Sequence, residues 1–134
     1  MYLDQPISRL REQGIHLTPQ RLAVAEYVLT TTVHPSAEEV WTQVRRSCPT
    51  VSRATVYNTL KLFAGKGLVK ALCMREGALV FDSRVEPHHN FIDDETGHVY
   101  DVAWDALVVK GARALKAFEV HDFQVVMRGK RRRR

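Results

Sequence analysis

The sequence lacks paired cysteines, long apolar runs and an apolar leader. Its two cysteines, Cys48 and Cys73, lie far apart, and no CxxC or CxxH pair occurs. This pattern excludes a cysteine zinc site and argues against a structural disulfide. No apolar run reaches the roughly 18 residues that span a bilayer. The opening residues, MYLDQPISRLREQG, also lack the apolar stretch of a secretory signal. We therefore expect a cytoplasmic protein with no membrane partner.

The charge is divided along a chain of otherwise globular composition. Of the 134 residues, 45% are apolar and 26% charged. Residues 1–75 hold ten basic and five acidic side chains, and residues 76–129 hold five basic and ten acidic ones. The last five residues, KRRRR, are all basic. This asymmetry indicates two modules with different partners, a polyanion for the first and a cation or a basic surface for the second.

The first half carries helix signals followed by a strand pair. Helices are predicted within residues 17–32, 36–48 and 52–67, each preceded by a Thr or Ser that suits an N-cap. Residues 68–82 then read as two β-strands around a turn at Glu76-Gly77. Three helices followed by a hairpin are the element order of a winged helix-turn-helix.

The helix that begins after Ser52 has two different faces. At about 100° per residue, one side is apolar and the other is small, polar, aromatic and basic. The apolar side holds Val56, Leu60 and Phe63, and the outer side holds Ala54, Tyr57, Asn58 and Lys61, with Arg53 at its edge. Such an outer face suits a DNA major groove. An ordinary solvated face is the alternative, but the preceding helices and the wing favour DNA.

The second half predicts a small α/β module after a hinge. Residues 88–93 and 98–103 read as strands joined by a turn, residues 104–118 as a helix, and residues 119–127 as a strand. A module of this size buries little core alone. We therefore expect a homodimer, which would also suit paired half-sites in duplex DNA.

The predicted fold class is α+β, with four segments. Residues 1–82 are expected to form a winged helix-turn-helix DNA-binding domain, and residues 83–87 a hinge. Residues 88–129 are expected to form a small α/β domain for dimerisation and metal sensing, followed by a basic tail at 130–134. The tail has three open interpretations: a phosphate-binding arm, a solubilising terminus, or a partner for the acidic second module.

Several segments in order resemble the ferric uptake regulator family. They are LTPQR (17–21), HPSAEEVW (34–41), VSRATVYNTL (51–60), FD (81–82), HHNF (88–91) and GHVYD (97–101). The resemblance runs from about residue 8 to Gly129. It implies a metal-responsive transcriptional regulator, most often a repressor, that binds a palindromic operator as a dimer. It also implies that the protein is not an enzyme.

The resemblance assigns five metal ligands, which are His34, Asp82, His88, Asn90 and Asp101. Asn occupies a position where relatives carry His or Asp. Residues 88 and 90 share one side of a strand and residue 89 points to the other, so His89 is the poorer candidate. A site drawing on both modules would couple metal binding to their orientation.

We also predict DNA contacts from Arg21 and Thr55, beside those from the outer face of the third helix. For two residues an alternative is open, since Tyr57 could pack on the core and Arg21 could be an ordinary surface residue.

The predicted ligands are nitrogen and oxygen donors with no thiolate. They suit Fe(II), Mn(II) or Zn(II) and disfavour Cu(I). Asp at both acidic positions resembles the peroxide-sensing branch of the family, in which Fe(II) reacts with peroxide and a ligand histidine is oxidised. This branch implies that His34 and His88 are oxidation-sensitive. Asp93 and Thr96 occupy the place of one zinc-binding CxxC pair of many relatives, and KRRRR that of the other. We therefore expect no structural cysteine zinc site.

Three other functions are open. The chain could be an iron-, manganese- or haem-responsive regulator that does not react with peroxide. It could be a metal-independent DNA-binding dimer whose site has decayed through Asn90. A metallohydrolase is disfavoured, because no general base or oxyanion donor accompanies the ligands.

Overall fold

The computed structural model describes residues 4–73 and 79–132, which form two compact units. The first unit ends at Val85 and the second begins at Glu86. Four α-helices and a two-stranded sheet make up the first, and a three-stranded sheet dominates the second. The α+β fold class is therefore confirmed. In the described ranges no helix has the length and apolar character needed to cross a membrane.

The first unit follows the predicted order of helices and wing. Its elements are α1 (Asp4–Glu12), α2 (Pro19–Val28), α3 (Ala37–Val44), α4 (Arg53–Gly65), β1 (Lys70–Cys73) and β2 (Leu79–Asp82). Thr18, Ser36 and Ser52 cap α2, α3 and α4 through side-chain oxygens that accept backbone N–H groups. The strands are antiparallel, and the turn predicted at Glu76-Gly77 lies outside the described residues.

Apolar side chains from all four helices fill the interior of the first unit. The core side of α4 predicted from the helical wheel is confirmed, because Val56, Leu60 and Phe63 are completely buried. They pack in one cluster with side chains such as Leu10 and Val40. Burial of this apolar surface stabilises the unit and leaves the opposite side of α4 in solvent.

A short backbone contact ties the start of α3 to the wing. The N–H of Phe81 donates to the carbonyl oxygen of Pro35 at 2.9 Å, and Ser36 forms an isolated antiparallel bridge with Val80. This pairing brings the residue before Pro35 beside the end of β2.

The second unit is a three-stranded sheet in the order β4-β3-β5. Its strands are β3 (His88–Asp93), β4 (Val99–Ala103) and β5 (Val126–Gly129). β3 pairs antiparallel with β4 and parallel with β5. In the β3–β4 turn, the buried Asp93 carboxylate accepts the N–H groups of Glu95 at 2.8 Å and Thr96 at 3.3 Å. Asp93 therefore stabilises the turn through its side chain.

Two predictions for the second unit are wrong. The helix expected over residues 104–118 is replaced by single 3-10 turns at Trp104–Ala106 and Ala112–Ala114. Gly111 adopts a left-handed φ of 84°, which interrupts an α-helix. The last strand covers Val126–Gly129 rather than residues 119–127. In the predicted helix, apolar side chains were read as a buried face, although Val108 and Phe118 are 86% and 70% exposed.

Candidate functional site

The outer face of α4 is open, as predicted. Its exposed residues are Arg53, Ala54, Tyr57, Asn58 and Lys61. The Tyr57 side chain is 46% exposed, so the alternative in which it packs on the core is wrong. Thr55 is only partly exposed, because its N–H and hydroxyl both bond to the capping Ser52 at 3.0 Å. Contact of these residues with DNA stays a prediction.

Arg21 lies at the start of α2 and is half-buried. Its Nη1 donates to the carbonyl oxygen of His16 at 2.7 Å. With Thr18 and Gln20 it lines an open polar groove that Asn58 borders from α4. The guanidinium is therefore oriented by the loop before α2, beside the outer face of the predicted recognition helix.

Arg53 has partners that sequence reasoning missed. Its Nε donates to the Glu38 carboxylate at 2.9 and 3.1 Å, and its Nη2 donates at 3.0 Å. Its guanidinium carbon lies 3.8 Å from the centre of the Trp41 ring. The hydrogen bonds with Arg53 lower the pKa of Glu38 and raise that of Arg53. No sequence spacing signals this contact, because it joins two helices that only the fold brings together.

One pair of predicted metal ligands meets within the first unit. His34 Nε2 lies 3.1 Å from Asp82 Oδ2, and both side chains are more than nine-tenths buried. The other carboxylate oxygen accepts the N–H of Arg84 at 2.9 Å. The contact between Pro35 and β2 explains this proximity across 48 residues of sequence.

The other three predicted ligands meet within the second unit. His88 Nε2 lies 3.7 Å from Asp101 Oδ1, and the Asn90 amide nitrogen lies 3.5 Å from the same oxygen. Strand register explains the grouping, since Asn90 is paired with Asp101 across β3 and β4. His88 and Asn90 are buried, whereas the Asp101 side chain is 31% exposed.

His88 is oriented for ligation through Nε2. Its Nδ1 lies 2.7 Å from the carbonyl oxygen of Glu86. A carbonyl only accepts hydrogen bonds, so Nδ1 carries a proton and Nε2 is the ring nitrogen that faces the carboxylate. Metal-bound histidines are held in this way by their second nitrogen.

The donor spacings fit a transition-metal ion. Two donors about 2.0–2.2 Å from one ion lie roughly 2.8–3.8 Å apart at bond angles of about 90–120°. The separations of 3.1 Å in the first unit and 3.7 Å in the second fall in that range. Asn90 fits less well, because its amide nitrogen rather than its oxygen faces Asp101. Ligation by Asn90 would require the amide to rotate.

His89 has a structural environment, as the alternation of the strand suggested. It is buried, and its Nδ1 accepts the N–H of Val125 at 3.0 Å. Its ring stacks on Trp104 with centroids 4.6 Å apart, and Trp104 packs against Phe123. His89 therefore ties β3 to the chain leading into β5. His121, a histidine that could ligate a metal or be an ordinary surface residue, is exposed.

The described part of the tail contacts its own unit. Lys130 Nζ lies 3.9 Å from the Glu95 carboxylate, and the Arg131 guanidinium lies over Tyr100 at 4.9 Å. These contacts favour pairing with the acidic module for the first residues of the tail.

A helical core with a two-stranded wing and an exposed outer face on α4 defines the class of winged-helix DNA-binding proteins. A family model, "Ferric uptake regulator family", matches residues 12–128. The chain belongs to the ferric uptake regulator family, whose members are metal-responsive transcription regulators rather than enzymes.

Individual relatives agree with this assignment. A peroxide-responsive repressor from Staphylococcus aureus (strain Mu50) is 30% identical over 129 residues, which cover 95% of this chain and 87% of the relative. The manganese-containing ferric uptake regulator of Pseudomonas aeruginosa superposes with a TM-score of 0.72 at 25% identity, over 94% of this chain and 97% of the other. The ferric uptake regulator of Vibrio cholerae gives 0.73 at 26% identity, over 92% and 97%.

Proposed function

We propose that this protein is a peroxide-sensing repressor that binds a palindromic duplex operator as a homodimer when its regulatory metal is present. The observation that carries the proposal is the pair of His/Asp donor sets, one in each unit, with spacings that suit one class of metal ion. The exposed basic face of α4 supplies the surface for DNA.

His34, Asp82, His88 and Asp101 would hold the ion, with Asn90 as a fifth, weaker ligand. Imidazole and carboxylate donors without thiolate suit Fe(II), Mn(II) and Zn(II). Because the donors are divided between the two units, shared ligation would restrict the orientation of one unit relative to the other. That restriction would favour the arrangement in which two recognition helices match two half-sites.

Peroxide sensing would act through the histidine ligands. A bound Fe(II) ion would give one electron to break the O–O bond of hydrogen peroxide and would regain it from the imidazole. His34 or His88 would then have gained one oxygen atom on an imidazole carbon in place of a hydrogen, and the second peroxide oxygen would leave as water, so that both electrons taken up by peroxide come from the histidine. Oxidation would weaken the histidine as a ligand and so release the restriction on the units. The similarity to a peroxide-responsive repressor supports this choice of signal.

Dimerisation is supported by the surface of the second unit. Val108, Leu115 and Phe118 are 86%, 53% and 70% exposed within one segment. A monomeric domain rarely leaves several large apolar side chains together in water. A second copy of the chain would cover them and add the core that a unit of this size lacks.

The experiment measures binding to duplexes selected by the protein from a random-sequence pool in the presence of Mn(II). Removal of metal by a chelator is expected to weaken binding at least about tenfold, the lower range for a coupled ligand. The Fe(II)-loaded protein treated with peroxide is expected to lose binding and gain about 16 Da on a peptide with His34 or His88. Affinity for the selected duplex that is unchanged by the chelator would contradict metal dependence.

A regulator that responds to iron, manganese or haem without reacting with peroxide is the second candidate. The amide at position 90 favours it, because a neutral, poorly oriented ligand changes the reactivity of the site. Chelator-sensitive binding that survives peroxide, with no added oxygen on either histidine, would select this function.

A further inference from the structure

Arg53, the first residue of α4, is held on two sides. Its Nε and Nη2 donate to both oxygens of Glu38, and its guanidinium lies 3.8 Å from the Trp41 ring centre. Trp41 is itself fixed, because its Nε1 donates to the carbonyl oxygen of Val51 at 3.0 Å and its ring packs against the core. A long, flexible side chain is thereby confined to one plane and one direction.

The ion pair uses one edge of the guanidinium. Arginine has five N–H donors arranged as a rigid fork. Among the described residues, every recorded side-chain hydrogen bond of Arg53 goes to Glu38 and involves Nε or Nη2. The two N–H groups of Nη1 and one of Nη2 are left for another acceptor. The end of the fork fits two adjacent acceptors, either O6 and N7 of guanine or two phosphate oxygens.

The surroundings leave room for a close approach. Arg53 and Glu38 border an open groove whose other lining residues are Ala37, Ala54, Tyr57 and Asn58. The two alanines add only methyl groups to this surface, so a large partner can come near. Residues at the start of a recognition helix are those that reach base edges.

The ion pair with Glu38 favours a contact of Arg53 with a base edge over a contact with a phosphate. Glu38 cancels much of the long-range attraction between Arg53 and a phosphate, because the two opposite charges are in contact. Directed N–H bonds to the neutral edge of a guanine do not depend on that net charge. The pair also adds little stability in itself, since the Arg53 and Glu38 side chains are 64% and 59% exposed.

We propose that Glu38 and Trp41 are positioning residues that hold Arg53 in place to bind the major-groove edge of one guanine, and thereby set the base preference of the protein. The inference rests on the proposed function, since it presupposes sequence-specific binding to duplex DNA. Glu38 itself touches no base and acts through Arg53.

The test replaces individual guanines by 7-deazaguanine, which lacks the N7 acceptor, in the duplex that the wild-type protein selects from a random pool with Mn(II). At one guanine per half-site, the wild type is expected to lose about 5- to 150-fold in affinity, the range for a good bidentate base contact. Arg53→Lys keeps the charge but loses the rigid fork, so its affinity ratio between the two duplexes is expected to fall below that of the wild type.

Glu38→Gln tests whether Glu38 orients the Arg53 side chain. Removal of a negative charge cannot weaken the attraction to phosphates, so affinity for the 7-deazaguanine duplex is expected to stay equal or rise. The ratio between the two duplexes is expected to fall at least about threefold. Glu12→Gln is the matched control, an exposed charge change at the end of α1, and is expected to leave the ratio unchanged.

Three results would contradict the inference. If the wild type enriches no sequence, the proposed function and this inference both fail. If it enriches a sequence but Arg53→Lys and Glu38→Gln keep the wild-type ratio, this inference fails alone. If Arg53→Ala weakens all duplexes alike and lowers the salt slope by about one, Arg53 binds phosphate rather than guanine.

Discussion

The two units bury different kinds of side chain. In the first, the buried side chains of the described residues are almost all apolar, and Thr59 and Asp82 are the polar exceptions. In the second, His88, His89, Asn90 and Asp93 are buried beside only Ile92 and Val99 among apolar residues. Burial of apolar surface therefore stabilises the first unit, whereas the second relies on hydrogen-bonded partners for its buried polar groups.

This difference in buried side chains suits the two units to different functions. A unit with a sufficient apolar core can leave one whole helix face to solvent, where it is available for DNA. A unit with a polar interior is costly to assemble unless each group finds a partner, and a metal ion or a second copy can supply what is missing. We infer that the second unit is the part whose structure responds to the signal.

Truncation of the largest core side chain of α4 would test whether apolar burial stabilises the first unit. Phe63→Ala is expected to lower the free energy of unfolding by about 3–5 kcal/mol, because it removes a completely buried ring. Urea denaturation monitored by circular dichroism measures the change. The loss is expected with and without Mn(II), and a loss confined to the metal-free protein would contradict an independent apolar core.

Replacement of His89 would test whether buried polar contacts stabilise the second unit. His89→Phe keeps an aromatic ring against Trp104 but leaves the Val125 N–H without its acceptor. The expected cost is about 1–3 kcal/mol of unfolding free energy. His98→Phe, at an exposed position just before β4, serves as the control. Equal stability of the two variants would show that the polar contact of His89 is dispensable.

The exposed face of α4 is expected to affect binding without affecting stability. Tyr57→Ala should weaken operator binding on the order of tenfold, as expected for loss of one aromatic contact in the groove. The melting temperature should stay within about 2 °C, because the side chain is 46% exposed. Fluorescence anisotropy with the selected duplex measures affinity, and Tyr57→Phe shows whether the ring suffices. Unchanged affinity in Tyr57→Ala would refute its position at the groove.

The smallest expected effect is the pH dependence of the ion pair between Glu38 and Arg53. The Arg53 hydrogen bonds lower the pKa of Glu38 below its ordinary value of 4.5. The folded state therefore favours the ionised carboxylate, and the pair's contribution is present above the ordinary value and lost as pH falls through the lower folded value. NMR titration of the Glu38 carboxyl carbon should show the lower pKa, and Arg53→Ala should return it toward 4.5. An unchanged pKa in that variant would remove Arg53 as the cause.

The sequence predicted the first unit well because its signals are local. Capping residues such as Ser36 and Ser52 mark helix starts, and the spacing of Val56, Leu60 and Phe63 marks a core face. In the second unit the alternation of β3 correctly separated His88 from His89. The predicted helix over residues 104–118 failed because its apolar residues are exposed rather than buried.

Long-range contacts escaped prediction from the residues alone. The pairing of Glu38 with Arg53 depends on how α3 packs against α4, which no spacing reveals. The proximity of His34 to Asp82 was expected only from the family resemblance. It depends on a backbone bond between Pro35 and Phe81 that has no sequence signature.

The proposed function requires that donors from both units hold a single regulatory ion. Calorimetric titration of the metal-free protein with Mn(II) tests it most directly, in the wild type and in His34→Ala, His88→Ala and the exposed control His121→Ala. We predict one ion per chain in the wild type and in His121→Ala. Each of the other two substitutions should weaken that same site at least about tenfold. Two independent sites, each lost in only one variant, or binding unchanged in both, would contradict the account.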